Sequence, residues 1–134
     1  MHIWSILLAS GQGTRMDGQK TKKQFLNWKG RPLYWHSALA LAAEPAMQGV
    51  VLTFPPDELE LRKNELWDLW QADAPGVEYL CCSGGSSRQE SVFNALAFLP
   101  SPCSHVLVHD AARPFLRPQL VHRIIESLSA GSEG

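Results

Sequence analysis

The sequence is short of the features that mark several protein classes. It has 3 cysteines, Cys81, Cys82 and Cys103, and no Cys-x-x-Cys pair. An odd count with two adjacent residues fits neither a disulfide framework nor zinc-ligand spacing, and points to a reducing, cytoplasmic setting. Neither sign of charge is in excess: 12 Lys and Arg against 13 Asp and Glu leave a formal net charge of −1 at pH 7. Nucleic-acid and membrane-surface binders need a basic surplus, so neither partner is expected. No apolar run approaches the ~20 residues of a membrane-spanning helix. Met1-His2-Ile3-Trp4 puts no basic stretch ahead of a long apolar one, so no secretory signal is expected. The sequence holds no internal repeat and no low-complexity tract.

What is present is ordinary globular composition, 45% hydrophobic and 19% charged over 134 residues. That excludes a disordered chain and suits a single domain over residues 1–134 with a real core. Ile3 to Leu8 predicts a buried strand running into a loop, Ala9-Ser10-Gly11-Gln12-Gly13. A polar, lysine-rich segment follows from Asp17 to Gln24. Pro32 suits the first turn of a helix through Ser37 to Ala43. Val50 to Phe54 predicts a second strand, closed by Pro55-Pro56. Asp57 is the expected N-cap of a helix carrying Leu59, Leu66 and Trp70. Val77 to Cys81 predicts a third strand. After Gly84-Gly85, the capping box Ser87-Arg88-Gln89-Glu90 opens a helix expected to bury Val92, Leu96 and Leu99. Val106 to His109 predicts a fourth strand. A last helix starts near Pro118, with Leu120, Val121, Ile124, Ile125 and Leu128 on one face.

Strands alternating with helices imply parallel pairing and right-handed crossovers, hence an α/β fold with a doubly wound, mostly parallel sheet. Ligands on such sheets bind at the carboxyl ends of the strands. Three stretches rich in Gly, polar or charged residues fall there: Ala9 to Gln24, Ser83 to Ser91, and Asp110 to Arg117.

The first is not a dinucleotide fingerprint, because Met16 stands where the third glycine belongs and no acidic residue closes the second strand. Nor is it a P-loop, since no Gly-Lys-Ser/Thr follows. It remains a Gly-x-Gly anion cradle with Arg15 two residues on, followed by Lys20, Lys22 and Lys23. Such a cluster suits a diphosphate or triphosphate; a solvated basic loop is the plainer reading. The second stretch is a turn with a helix cap at Ser87, or a helix N-terminus that holds a base edge or phosphate. In the third, Asp110 and Arg113 form either a structural ion pair or a metal- and substrate-binding pair past a buried strand. His105 reads as structural and His109 is open to either reading. His2, His36 and His122 show no ligand spacing. The tryptophans, Trp67 and Trp70 among them, read as packing residues rather than base-stacking platforms.

Taken together, Leu-Ala-Ser-Gly-Gln-Gly-Thr-Arg-Met at 8–16, Lys23-Gln24-Phe25, Gly-Gly-Ser-Ser-Arg-Gln-Glu-Ser-Val at 84–92 and Val-His-Asp-Ala-Ala-Arg-Pro-Phe at 108–115 resemble the 2-C-methyl-D-erythritol 4-phosphate cytidylyltransferase family. The first of these marks only the wider nucleotidyltransferase superfamily; the last two are far more specific. The resemblance runs from Ile3 to about Ile125. It implies a Rossmann-like, GT-A-like nucleotidyltransferase fold. The implied reaction joins CTP and methylerythritol phosphate to give CDP-methylerythritol and pyrophosphate, with Mg²⁺ as cofactor. Arg15 and Lys23 match the family's catalytic cations. The backbone of Ala9, Ser10, Gly11, Gln12 and Gly13 would cradle the triphosphate. Gly85, Ser86 and Ser91 match positions that read the cytosine and its ribose side. Asp110 would sit near Mg²⁺ and the ribose, and Arg113 on the acceptor side. Full-length members are expected to be homodimers.

The chain departs from that pattern in several places. Ser10 stands where Ala is usual, and Ser86 where an acidic residue is frequent. The Arg15–Lys23 spacing is one residue longer than expected, and Lys22 replaces a Pro, so Lys20 and Lys22 compete with Lys23 for the catalytic role. The family also continues with further strands, a dimerisation arm and a late Arg and Lys. The sequence therefore reads as the nucleotide-binding amino-terminal part, expected to bind CTP weakly and turn over little by itself. The competing readings are a cytidylyltransferase for ribitol 5-phosphate, whose members tend to carry Val where Ala112 stands, and a non-catalytic CTP-binding fragment.

Overall fold

The computed structural model describes residues 1–11, 22–113 and 116–130. The first strand, β1 (Ile3–Leu8), is buried on both faces. A 3-10 turn over Lys23–Phe25 leads into a small hairpin, β2 (Asn27–Trp28) and β3 (Arg31–Pro32). Then follow α1 (Leu33–Ala42), β4 (Met47–Phe54), α2 (Leu59–Asp73), β5 (Glu78–Ser83), α3 (Arg88–Leu96), β6 (His105–Asp110) and α4 (Pro118–Ser129). The main sheet runs β5-β4-β1-β6 and every pairing in it is parallel.

This is the doubly wound α/β arrangement expected from the sequence. Alternate residues of β1 face opposite sides. Ile3 and Leu7 join Tyr34, Trp35, Leu41, Leu66, Val121 and Ile125, from α1, α2 and α4, in the larger core cluster. Trp4, Ile6 and Leu8 join Val51, Cys82 and Ala95 on the face covered by α3. With both faces covered, strands read as continuous apolar runs. Burying one large apolar side chain such as Phe54 contributes roughly 1.5–3 kcal/mol relative to leaving it exposed. Gly49 exists to admit a ring: a Cβ there would stand 2.4 Å from the Trp4 indole.

Four local expectations are corrected. The hairpin was not foreseen; its two-residue turn, Lys29 (φ 52°) and Gly30 (φ 81°), has the left-handed geometry that matches strand twist. Asp57 is not a helix cap, because Pro55-Pro56 leads into a separate 3-10 turn, Pro56–Glu58, and α2 starts only at Leu59. Leu96 is 45% exposed, since Ser91 and Ala95, one turn apart, set the buried face of α3. Leu120 is 46% exposed, because α4 turns Val121 and Ile125 inward instead. The Ser87 cap is present, with the Glu90 amide donating to Ser87 Oγ at 3.1 Å. The Glu90 carboxylate accepts from Ser86 Oγ at 2.9 Å rather than closing the box.

Topology places the site. In the main sheet β4 and then β5 are added outward on one side of β1, and α3 then carries the chain back to β6 on the other side. The strand order reverses between β1 and β6, where open α/β sheets open a crevice for ligands. Register aligns Leu8, Thr53, Cys82 and Asp110 in one row across the sheet, so the loops leaving β1, β5 and β6 rise from one rim.

Candidate functional site

A cavity of about 220 Å³ lies at that rim, lined by Leu8, Ser10, Gly11, Gly85, Ser86, Ser87, Arg88, Ser91 and Asp110. Six predicted binding residues, Ser10, Gly11, Gly85, Ser86, Ser91 and Asp110, are thereby brought together from three elements. Gln12, Gly13 and Arg15, as well as Lys20, lie outside the described residues.

The wall between β1 and α3 is a row of hydroxyls. Ser10 Oγ is 3.0 Å from Thr53 Oγ1 and 3.0 Å from Ser91 Oγ, and Ser91 Oγ accepts from the Gly85 amide at 3.0 Å. Ser10 and Ser91 are nearly fully buried, so pairing matters: an unpaired buried hydroxyl costs about 1–3 kcal/mol. Gly84 allows this close approach, since a Cβ there would stand 2.1 Å from both Ser10 Cβ and Ser10 Oγ. Its amide donates to Phe54 O at 2.8 Å, which fixes the chain as it leaves β5.

Ala9 is placed beneath the rim rather than in the cavity wall. It is 1% exposed, its amide donates to Thr53 O at 2.9 Å, and its carbonyl accepts from Gln24 Nε2 at 3.1 Å. It extends the ladder of the sheet and presents no free N–H to a ligand. The same Gln24 amide donates to Gly11 O at 2.9 Å. Gln24 thus ties the start of the glycine loop to the turn that carries Lys23. The sequence marks Gln24 only as part of the Lys23-Gln24-Phe25 stretch; its role as a tie between two loops depends on a tertiary contact that no local pattern shows.

Asp110 closes β6. Its Oδ1 accepts from the Ala112 amide at 2.9 Å, and its carbonyl accepts from the Arg113 amide at 3.1 Å. It also borders a second hollow of about 280 Å³, shared with Arg88, Val108, His109 and Arg113. Asp110 and Arg88 therefore stand between two compartments, with Arg113 in the second. Arg88 was read only as part of a cap; its place at the first turn of a helix leaving a Gly-Gly loop was the signal for more. His109 sits in the wall of the second hollow. Burial pushes its imidazole below the ordinary value, with Asp110 opposing, and its Nε2 is buried without a hydrogen-bond partner among the described residues. A neutral ring suits a wall residue, not a phosphate-binding cation.

The lysines divide. Lys22 is 8% exposed and its Nζ lies 3.1 Å from Glu58 Oε2. Lys23 is half-buried, and no ion pair holds it among the described residues; it is not part of the cavity wall. Among the described residues no cluster of three or more His, Cys, Asp or Glu side chains is placed to hold a metal ion. Asp110 is a lone carboxylate facing a cavity. That fits Mg²⁺, which is held by one or two carboxylates together with substrate phosphates.

A parallel sheet reversing its order beside β1, with a glycine loop, a serine-rich helix N-terminus and an acidic strand end at the reversal, defines an α/β protein of the nucleotidyltransferase fold class with a candidate ligand site at the reversal. The comparisons sharpen that class. The chain belongs to the 2-C-methyl-D-erythritol 4-phosphate cytidylyltransferase family, IspD, whose family model matches residues 3–134. It is 43% identical over 136 aligned residues to the bifunctional enzyme IspD/IspF of Oleidesulfovibrio alaskensis, covering 100% of this chain and 34% of that protein. It is 39% identical over 127 residues to the 2-C-methyl-D-erythritol 4-phosphate cytidylyltransferase of Xanthomonas oryzae, covering 92% of this chain and 44% of that one. In fold it resembles the 4-diphosphocytidyl-2C-methyl-D-erythritol synthase of Anaerococcus prevotii, with a TM-score of 0.74 at 21% identity over 95% of this chain and 51% of that one. The chain thus spans about a third of the bifunctional relatives it matches. No helix among the described residues is long and apolar enough to cross a membrane.

Proposed function

We propose that this chain binds CTP at the β1–β6 rim and supplies the nucleotide site of a transferase that moves CMP onto the phosphate of 2-C-methyl-D-erythritol 4-phosphate. The observation that carries this reading is the convergence of Ser10, Gly11, Gly85, Ser86, Ser91 and Asp110 on one cavity, in a chain of this family. An acceptor phosphate oxygen attacks the α-phosphorus of CTP in line. A new P–O bond forms as the bond from the α-phosphorus to the bridging oxygen breaks, and pyrophosphate leaves with the electron pair. The attacking phosphate is already ionised near pH 7, so no side chain need remove a proton. The work is positioning and electrostatic stabilisation.

In this reading Arg15 and Lys23 neutralise charge that builds on the α-phosphate and the leaving group, the first as a rigid fork and the second as a mobile point charge. The hydroxyl row of Ser10 and Ser91, with the Gly85 backbone and Ser86, faces the base and ribose side. Arg113, in the adjoining hollow, receives the acceptor. Asp110 borders both compartments and would hold Mg²⁺, which supplies charge neutralisation to bound phosphates. The working assembly is a cytoplasmic homodimer that acts on small molecules and not on nucleic acid.

Calorimetric titration tests the reading. The wild-type chain should bind CTP, and Arg15→Ala should weaken binding about tenfold or more, as expected for losing charged hydrogen bonds of roughly 1.5–3 kcal/mol. Absence of CTP binding by the wild type, or equal binding by Arg15→Ala, refutes it. In transfer assays on the longer protein, methylerythritol phosphate should be accepted in preference to ribitol 5-phosphate.

A further inference from the structure

Lys22, Lys23, Gln24 and Phe25 make up one tight turn, with the Phe25 amide donating to Lys22 O at 2.9 Å and the Leu26 amide to Lys23 O at 3.1 Å. Three of these four side chains are committed to the protein. Lys22 Nζ is buried against Glu58, which also accepts from Arg62 Nη2 at 2.8 Å. Burial alone would raise the Glu58 carboxyl; bonds from Arg62 and Lys22 outweigh it and hold the group below its ordinary value, so the pair is ionised. Gln24, 1% exposed, ties the turn to Ala9 and Gly11. Phe25 packs edge-on to Tyr34, and the Arg62 guanidinium lies 3.6 Å from its ring centre. Only Lys23 has no such tie among the described residues.

We propose that Lys22 is a positioning residue: its ion pair with Glu58 pins the turn that carries Gln24 and aims Lys23, and its own ammonium does not meet the nucleotide. This rests on the nucleotide reading of the rim. The obvious alternative, Lys22 as one more phosphate-binding cation, requires its buried ammonium to leave the partly buried Glu58 carboxylate. That would leave Glu58 with Arg62 alone among these cations, and breaking a desolvated pair from one side is costly.

The backbone offers a clean test. Lys22 has φ −61° and ψ 147°, and −61° lies within the range that a proline ring enforces. Lys22→Pro therefore removes the ammonium while restoring the backbone constraint, whereas Lys22→Met removes both. Glu58→Gln keeps the ammonium and weakens its anchor. Two readouts are taken on each chain: hydrogen exchange at the Phe25 and Leu26 amides, and CTP affinity by calorimetry. Thermal midpoints are recorded alongside. In Lys22→Met, exchange at both amides should accelerate about tenfold and CTP binding weaken about fivefold. Lys22→Pro should bring both back to within about twofold of wild type, and Glu58→Gln should resemble Lys22→Met.

A direct phosphate contact predicts the reverse order. Glu58→Gln would free Lys22 and tighten CTP binding, and Lys22→Pro would be as weak as Lys22→Met while its exchange is normal. Either result overturns the proposal, as does a lowered thermal midpoint in Lys22→Met with exchange at Phe25 and CTP affinity both unchanged. If the wild type binds no CTP, the nucleotide reading fails separately, and the exchange measurements still decide whether the Lys22–Glu58 pair holds the turn.

Discussion

Gly84 is a point where the rim tolerates little change. Its φ is outside the left-handed region, so alanine is acceptable to the backbone and any cost of Gly84→Ala comes from contact alone. The new Cβ would stand 2.1 Å from Ser10 Cβ and Oγ and 3.0 Å from Ser91 Oγ. Ser10 Cβ is fixed to the end of β1 and cannot swing aside as a flexible chain end would. Overpacking of this kind typically costs 1–3 kcal/mol, and the anchored neighbour places this case near the top, about 3 kcal/mol. For a chain of this size that lowers the thermal midpoint by roughly 10 °C.

The contact can be relieved from its other side. Ser10→Gly removes both offending atoms at the expense of two hydroxyl contacts, about 1–2 kcal/mol by itself. In urea titrations followed by tryptophan fluorescence, the double variant should be more stable than the sum of the single losses by about 2 kcal/mol, a coupling within the range for touching residues. Strict additivity, or a Gly84→Ala chain as stable as wild type, would show that Ser10 and Gly84 do not meet as described.

Two further predictions concern pH. His122 lies between Glu44 and Glu126, each 2.7 Å away, and the Glu44 hydrogen bond raises its imidazole above the ordinary value. Its stabilising effect should be complete below the ordinary value of about 6.5 and fade as pH rises through the raised one; urea midpoints from pH 5.5 to 8.5 should fall along that window in wild type and stay flatter in His122→Gln. Asp73 accepts from Arg31 through both carboxylate oxygens and from the Trp35 indole, and these bonds bring its carboxyl from 3.8 down to about 2. Asp73→Asn should be less stable than wild type above pH 4, with the gap closing as pH falls towards 2; a gap that persists unchanged into acid would refute the ionic account.

The order of strands and helices was legible because apolar runs and their interruptions report burial directly. Leu8 into a glycine loop, and Ser87 three residues ahead of Glu90, gave away the two elements that matter most for the site. The hairpin was not legible from periodicity, since β2 and β3 have two residues each and no alternation to count. Its signal was Lys29-Gly30, a pair suited to left-handed backbone. Leu96 and Leu120 were misjudged for another reason. A helical face is set by whichever residues meet the sheet, and small Ser91 and Ala95 allowed α3 to approach where leucine was expected to lead.

The site itself shows why composition under-reports chemistry. Eight polar or charged residues are buried among the described residues: Ser5, Ser10, Lys22, Gln24, Ser37, Glu44, Thr53 and Ser91. Five of them, Ser10, Lys22, Gln24, Thr53 and Ser91, belong to the rim or to the turn that braces it. Each must find partners or cost the fold a desolvation penalty, so a sequence selected for stability alone would fill such places with alanine or valine. Instead the hydroxyls pair with one another, the amide spans two loop carbonyls, and the ammonium finds a carboxylate on the turn before α2. Ser10 illustrates the consequence. Against the family pattern it reads as a small departure from alanine, yet in this chain its hydroxyl joins Thr53 on β4 to Ser91 on α3. A residue one atom larger than alanine has become the link between the sheet and the helix beside the cavity, and Gly84 is the space that link requires.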